Sequence, residues 1–354
     1  MRVIAYYLPQ FHVIPENDKW WGEGFTEWTS VRNARPFYAG HKQPIQPGTL
    51  GYYNLLDPAV RERQVQLARE AGIEGFCYWH YWFAGKQLLE KPLQEVLQSG
   101  EPDFPFCLGW ANESWKAKTW LDQQTAPDKL LIAQTYPEGD DERHFNAILP
   151  ILQDKRYIRV DGKPLLMLYR PLDLPDGKEW TKKWKAMAQE AGFPGLYLLG
   201  YTHYRREVDK VLSLGFDAVN LVPLGDTKRN IGLALRHLPV LIRHLCGRSP
   251  LVYDYKRSMR VFASAVMRRE DVVPTLLPNW DHSPRSRMRA FILRNSTPQL
   301  FQQHAEAIRQ IVDKKKNPLV MLKSWNEWGE GNYLEPDMQW GKQYIEALNV
   351  VTRQ

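Results

Sequence analysis

The stretch 318-PLVMLKSWNEWGEGNYLEPD-337 joins an uninterrupted apolar run to a burst of acids, indoles and glycines. Its first five residues read as a strand covered on both faces, because no polar residue alternates with the apolar ones. Just past the strand end, Glu327 and Glu330 stand three residues apart, and Gly329 and Gly331 let the chain bend sharply there. Glu335 follows, directly before Pro336. A buried parallel strand that ends in carboxylates is the pattern of an α/β enzyme, whose chemistry gathers at the carboxyl ends of its strands.

Working outward, the same kind of run recurs at 2-RVIAYYL-8, 74-EGFCYWH-80, 105-PFCLGWA-111 and 164-PLLMLYR-170. It continues at 195-GLYLLGY-201, 217-DAVNLVP-223 and 272-VVPTLLPNW-280, which makes eight strands in all. Helical periodicity lies between them at 58–72, 141–153, 179–192 and 298–312, several of these opening on Pro and ending in Gly. Pro150 is expected to kink or end the second. Eight strand–helix units predict a (β/α)8 TIM barrel, a single α/β domain over residues 1–354. A doubly wound open sheet is the rival, but no GxGxxG follows the first strand. Two connections are longer than a plain barrel needs, 9–57 after the first strand and 224–271 after the sixth.

The 354 residues carry 14 Trp and 17 Tyr, flat amphipathic rings that suit sugar faces as well as cores. Three cysteines offer neither a disulfide framework nor paired metal-ligand spacing, so a reducing, cytoplasmic setting and no metal or cofactor are expected. The opening MRVIAYYLPQFH lacks the apolar core of a signal peptide, and no run is long enough to span a bilayer. Net charge is +7, yet residues 228–269 alone hold ten Lys/Arg against Asp254, which is +9 and leaves −2 for the rest. A basic insertion around 226–260 therefore stands apart from the barrel. Within 228-KRNIGLALRHLPVLIRHLCGRSP-250, apolar residues recur at near-helical spacing, with Arg236 and Arg243 seven apart and Pro239 interrupting. That is the pattern of a helix lying peripherally on an anionic inner-membrane surface, and equally of an insertion packed on the barrel with a solvated basic face. The patch is local and carries no nucleic-acid motif, so no nucleic-acid partner is expected.

The strand ends supply the other candidates. The first delivers Tyr7, Gln10 and His12; the second Tyr78, His80 and Tyr81; the third Trp110, Asn112 and Glu113; the seventh Trp280 and Asp281. The eighth adds Asn326 and Trp328, with Trp325 and Trp328 expected to shape the walls, and the first long loop contributes Trp28. A cleft walled by indoles with convergent carboxylates suits an oligosaccharide or polysaccharide substrate, since two carboxyls can act as acid and as base or nucleophile on a glycosidic bond. Glu327 and Glu330 are the best pair; the competing account is a solvated turn with two surface acids. Glu113 competes with an exposed acid beside a capping Asn112. His12 and His80 are equally well read as satisfied structural histidines, and Glu335 as scaffolding. Glu27, in 20-WWGEGFTEW-28, belongs either to a loop over the mouth or to a local anchor.

With those residues in view, the chain resembles the glycoside hydrolase family 99-like proteins of the WbsX type, found in bacterial polysaccharide biosynthesis loci and related to endo-α-mannosidases. The matching stretches are 5-AYYLPQFHVIPENDKWWGEGFTEW-28, 73-IEGFCYWHYWF-83, 102-PDFPFCLGWANESW-115, 155-KRYIRVDGKP-164, 192-GFPGLYL-198 and 324-SWNEWGEGNYLEPD-337. The resemblance implies a retaining α-glycoside hydrolase or transglycosidase acting on surface-polysaccharide units without a cofactor. It also implies that Glu327 acts as base on the sugar 2-hydroxyl, which attacks the anomeric carbon to give an anhydrosugar. Glu330 would serve as general acid and then as base for water. Gly329 stands where the mannosidases carry histidine, and Asn332-Tyr333-Leu334 replaces a Thr-Gln-Ile-like run. Two other classes remain open. A sugar-nucleotide glycosyltransferase would need to hold a diphosphate, and the chain has no DxD and no Gly-rich phosphate loop; a non-catalytic glycan-binding barrel would need the mouth alone.

Overall fold

The computed structural model describes residues 1–117 and 129–353. Its eight barrel strands are β1 Arg2–Tyr7, β2 Gly75–Phe83, β3 Phe106–Trp110, β4 Lys163–Leu168, β5 Tyr197–Thr202, β6 Ala218–Leu221, β7 and β8 Leu319–Leu322. Strand β7 is broken by Pro274 into Val272–Val273, which pairs with β6, and Thr275–Leu276, which pairs with β8. The Pro274 carbonyl still accepts the Met321 amide, so the missing N–H of proline is the only gap in the ladder at that point. Every barrel pairing is parallel, and β1 closes the circuit between β2 and β8. The eight expected strands are all present, and the (β/α)8 barrel is the fold.

The apolar runs become strands because both of their faces are covered. β2, β3 and β8 are buried at every residue. The covering helices start where the local signals put them. Asp57 caps Pro58–Glu70 by accepting the Ala59 amide, and Thr297 caps Pro298–Val312 by accepting that of Leu300. Pro150 lies inside Asp140–Gln153, one turn from its end.

The sequence reading runs strand seven through to Trp280. In the structure the barrel strand stops at Leu276, and Trp280–Asp281 turns away to pair antiparallel with Phe291–Arg294. That strand pairs in parallel with Leu251–Asp254, so a three-stranded sheet stands on the barrel rim. The long connection after β1 holds helices Pro15–Trp21 and Glu27–Arg32, and the one after β6 holds several short helices and Tyr255–Phe262. Both long connections reach the carboxyl end of the barrel.

Candidate active site

At that end lies a cavity of about 880 Å³. Its floor is built by the segment after β8. Asn326–Glu327 and Asn332–Tyr333 form a tight antiparallel pair, joined by a single 3-10 turn at Trp328–Glu330. Gly331 closes the turn at φ +50°, and a Cβ there would press on the backbone of Asp281 at 2.8 Å. Glycine is required at that position on both counts. Glu327 and Glu330 both line the cavity.

Two cations hold this pair. Arg285, from the short helix Ser283–Ser286, donates Nη1 to Glu327 Oε1 at 3.0 Å and to Glu330 Oε1 at 2.7 Å, and Nε to Glu27 at 2.8 Å. Those two contacts limit the separation of the Glu327 and Glu330 Oε1 atoms to their sum, 5.7 Å. The two carboxylates therefore converge on one small region of the cavity floor. Lys323, the first residue past β8, lies 3.5 Å from the other oxygen of each glutamate. Ser324 donates to Glu327, and His282 Nε2 is 3.3 Å from Glu330.

The electrostatics follow from this packing. Burial alone would raise the Glu330 carboxyl, but Lys323, Arg285 and the His282 hydrogen bond outweigh it and hold the group well below the ordinary carboxylate range. Burial likewise works to lower Lys323, and the two glutamates more than offset it. The site is therefore a buried lattice of three carboxylates and two cations. The wall above it is aromatic: Trp79, Tyr81, Tyr169, Tyr201, Tyr204 and Trp280 all face the cavity. Among the described residues no group of three His, Cys, Asp or Glu is arranged to hold a metal ion.

The residue pattern of the family described as Glycosyltransferase WbsX matches residues 3–348. The chain belongs to the WbsX family. Proteins called WxcX from two strains of Xanthomonas campestris pv. campestris, themselves described as uncharacterized, are 33% identical over 349 residues. That match covers 98% of this chain and 48% of each relative, so the chain spans about half the length of the curated relatives it matches. Among solved structures, a glycoside hydrolase-like protein superposes with TM-score 0.60 at 15% identity, covering 99% of this chain and 93% of that one. A GH99 endo-α-mannosidase from Bacteroides thetaiotaomicron gives 0.57 at 13% identity, covering 99% and 96%. At such identities the likeness concerns the fold.

Of the residues nominated from sequence, Glu327, Glu330, Gln10, Tyr81, Asn112, Glu113 and Trp280 line the cavity of this WbsX member. Asn112 is also a strut, clasping the backbone of Arg170 in both directions. The other nominees sit behind the wall. Tyr7 donates to Gln64, His12 Nδ1 to the Pro9 carbonyl, and Trp28 to the Tyr53 carbonyl. Tyr78 packs on Tyr7, and Trp110 on His144 and Trp184. His80 shares a hydrogen bond with His144, and burial lowers it to about 4. Asp281 is held by His41 and Gln43, Asn326 clasps Leu8, and Trp328 stacks on Tyr333. Trp325 is fully buried in the core. Glu335 accepts from Tyr53, Gln64 and the Trp328 indole, which makes it the scaffold of the turn.

Sequence reasoning missed Arg285, Lys323, Trp79, Tyr169 and Tyr201. For the aromatics a signal existed: alternate residues of a strand face opposite sides, and Trp79 shares its face with Tyr81 while Tyr78 and His80 share the other. For the cations the signal was chemical, since a buried glutamate pair demands a positive partner. Lys323, four residues before Glu327, was within local reach, but nothing local in the sequence singles out Arg285 among the 47 Lys and Arg.

Proposed function

We propose that this chain is a carbohydrate-active enzyme of the glycoside-hydrolase type, acting with retention on an α-linked unit of bacterial surface polysaccharide, by hydrolysis or transfer. The observation that carries the reading is the Glu327–Glu330 pair, no more than 5.7 Å apart between Oε1 atoms, on the floor of a large aromatic-walled cavity. In the proposed reaction Glu327 takes the proton of the sugar 2-hydroxyl as that oxygen attacks the anomeric carbon. Glu330 gives its proton to the departing oxygen. It then takes one from water, or from an acceptor hydroxyl, which opens the anhydrosugar as Glu327 returns its proton to the 2-oxygen.

Lys323, Arg285 and His282 keep Glu330 ionised, so its acid role depends on substrate. A sugar seated between Glu330 and its cations weakens the attractions that depress the carboxyl, while burial, which raises it, remains. The aromatic wall supports sugar binding through ring faces. Glu327→Gln and Glu330→Gln, assayed on surface-polysaccharide oligosaccharides and activated aryl α-glycosides, should each lose about 10²–10⁴ in rate. Full activity in either variant refutes its role. A sugar-nucleotide glycosyltransferase is the second reading, supported by the family's description and by Arg170, Lys228 and Arg289 along the cavity wall. Calorimetric titration with a panel of sugar nucleotides separates the two, because only the second requires tight diphosphate binding.

A further inference from the structure

The connection after β6 carries an apolar stripe that the fold leaves uncovered. Ile231, Leu235, Leu238, Ile242 and Leu245 are 58, 55, 50, 52 and 73% exposed. They recur at steps of four, three, four and three, which is the period of one helix face. The structure forms them as a helix Ile231–Ala234, a 3-10 turn Leu235–His237 and a helix Leu238–Leu245. Pro239 lies in the first turn of the last helix, where its missing N–H has no intrahelical partner to lose, so it begins a helix and does not break one. The reverse side is anchored by Ala234 and Leu241, which are buried in the main core. The exposed side is thus presented by a folded segment.

Around the stripe the charge is of one sign. Lys228, Arg229, Arg236, Arg243 and Arg248 are exposed, and among the described residues none of them forms an ion pair with a carboxylate. The acids of the region are both occupied: Asp226 pairs with Arg205, and Asp254 caps helix Tyr255–Phe262. Exposed leucines and isoleucines ringed by cations without carboxylate partners complement a layer of anionic headgroups above hydrocarbon. A protein partner would have to bring both an apolar ridge and an acidic rim; an anionic bilayer has both everywhere.

We propose that the segment Ile231–Leu245 docks this chain on an anionic membrane surface, with the stripe inserted among the acyl chains and the arginines on the phosphates. Position gives the contact a use. Leu224, Gly225 and Lys228, at the entrance to the segment, line the cavity, as does Phe291 on the strand beside Leu251–Asp254. Docking brings the cavity rim close to the surface on which a lipid-attached glycan is presented. No helix among the described residues is long and apolar enough to cross a membrane, so the attachment is peripheral. The proposal does not depend on the roles of Glu327 and Glu330.

The test is co-sedimentation of the full chain with vesicles of phosphatidylethanolamine and phosphatidylglycerol, set against vesicles of phosphatidylcholine alone, at low and high salt. Binding is expected to the anionic vesicles only, to weaken with salt, and to fall about fivefold in partition for each of Arg236→Gln and Arg243→Gln. The double variant Ile242→Ser, Leu245→Ser should lose binding with unchanged thermal melting, since both side chains are exposed in the fold. Equal binding to neutral vesicles, no binding, or binding untouched by these variants overturns the proposal. So does a dimer of the chain in solution that the double variant converts to monomer, because the stripe then serves a second copy.

Discussion

Replacing Gly329 by alanine tests the site's architecture without any substrate. The backbone at 329 is not in the left-handed region, so alanine is conformationally acceptable. The obstacle is steric: a Cβ would overlap Glu27 Oε1 and sit 2.8 Å from Arg285 Nε. Glu27 and Arg285 are 2% and 8% exposed and joined at 2.8 Å, so the methyl must push Glu27 off a buried, charged hydrogen bond. Losing one partner of a buried pair costs about 3–5 kcal/mol when none remains. Arg285 keeps Glu327 and Glu330, which brings the expected cost of Gly329→Ala to about 2–3 kcal/mol. In a Glu27→Ala background the methyl still meets Arg285 Nε, but the guanidinium can shift into the space that Glu27 leaves, so the same change should cost about 1 kcal/mol or less. The two substitutions should therefore couple by about 1 kcal/mol or more. Urea unfolding of the four proteins, fitted with a common slope, measures this. Equal costs of Gly329→Ala in both backgrounds would show that Glu27 does not occupy that space, and the reasoning would fail. The same overlap bears on the motif: any side chain at 329 is incompatible with the present placing of the Glu27–Arg285 pair.

Glu335 is pushed by burial to about 7, above its ordinary 4.5. The folded protein therefore binds a proton that the unfolded chain releases between these values, so the contribution of Glu335 to stability is full below pH 4.5 and is lost as pH rises to 7, by about 3 kcal/mol at most. Glu335→Gln should remove that part of the slope, read from urea midpoints at pH 5 and 8; an unchanged slope counts against it. His80, lowered to about 4, and His144, lowered further, act in the opposite direction. Stability should fall as pH drops from 6.5 to 4, and less so in His144→Phe, whose ring keeps the stack on Trp82. Lys323→Met should move the Glu330 titration upward, since the opposing influence of burial stays, and ¹³C carboxyl NMR of the protein without added substrate would register it. A Glu330 resonance that titrates where it did before would mean that Lys323 does not hold it.

The particular residues that were misjudged share a cause. Tyr78 and His80 sit one residue from Trp79 and Tyr81, and composition treats the four alike. Only the pleat separates them, turning Trp79 and Tyr81 to the cavity while His80 meets His144 on helix Asp140–Gln153. Trp328 looked like a wall because of its neighbours in sequence. Its indole instead reaches back to Glu335, seven residues on, and anchors the turn that aims Glu327 and Glu330.

What the sequence determined by itself was local or nearly so. Uninterrupted apolar runs specify parallel strands covered on both faces, Asp57 and Thr297 specify where helices begin, and the spacing of Glu327, Gly329, Glu330 and Gly331 specifies a tight acidic turn. Each of these depends on residues within a turn or two of one another. Tertiary structure alone decided that Arg285 joins Lys323, four residues before Glu327, in neutralising that turn. Arg285 and its partner Glu27 are 258 positions apart and meet only because the barrel closes. Charge attraction in a buried site depends on distance in space and leaves no periodic trace along the chain, so the part Arg285 plays in the state of Glu330 became visible only in the fold.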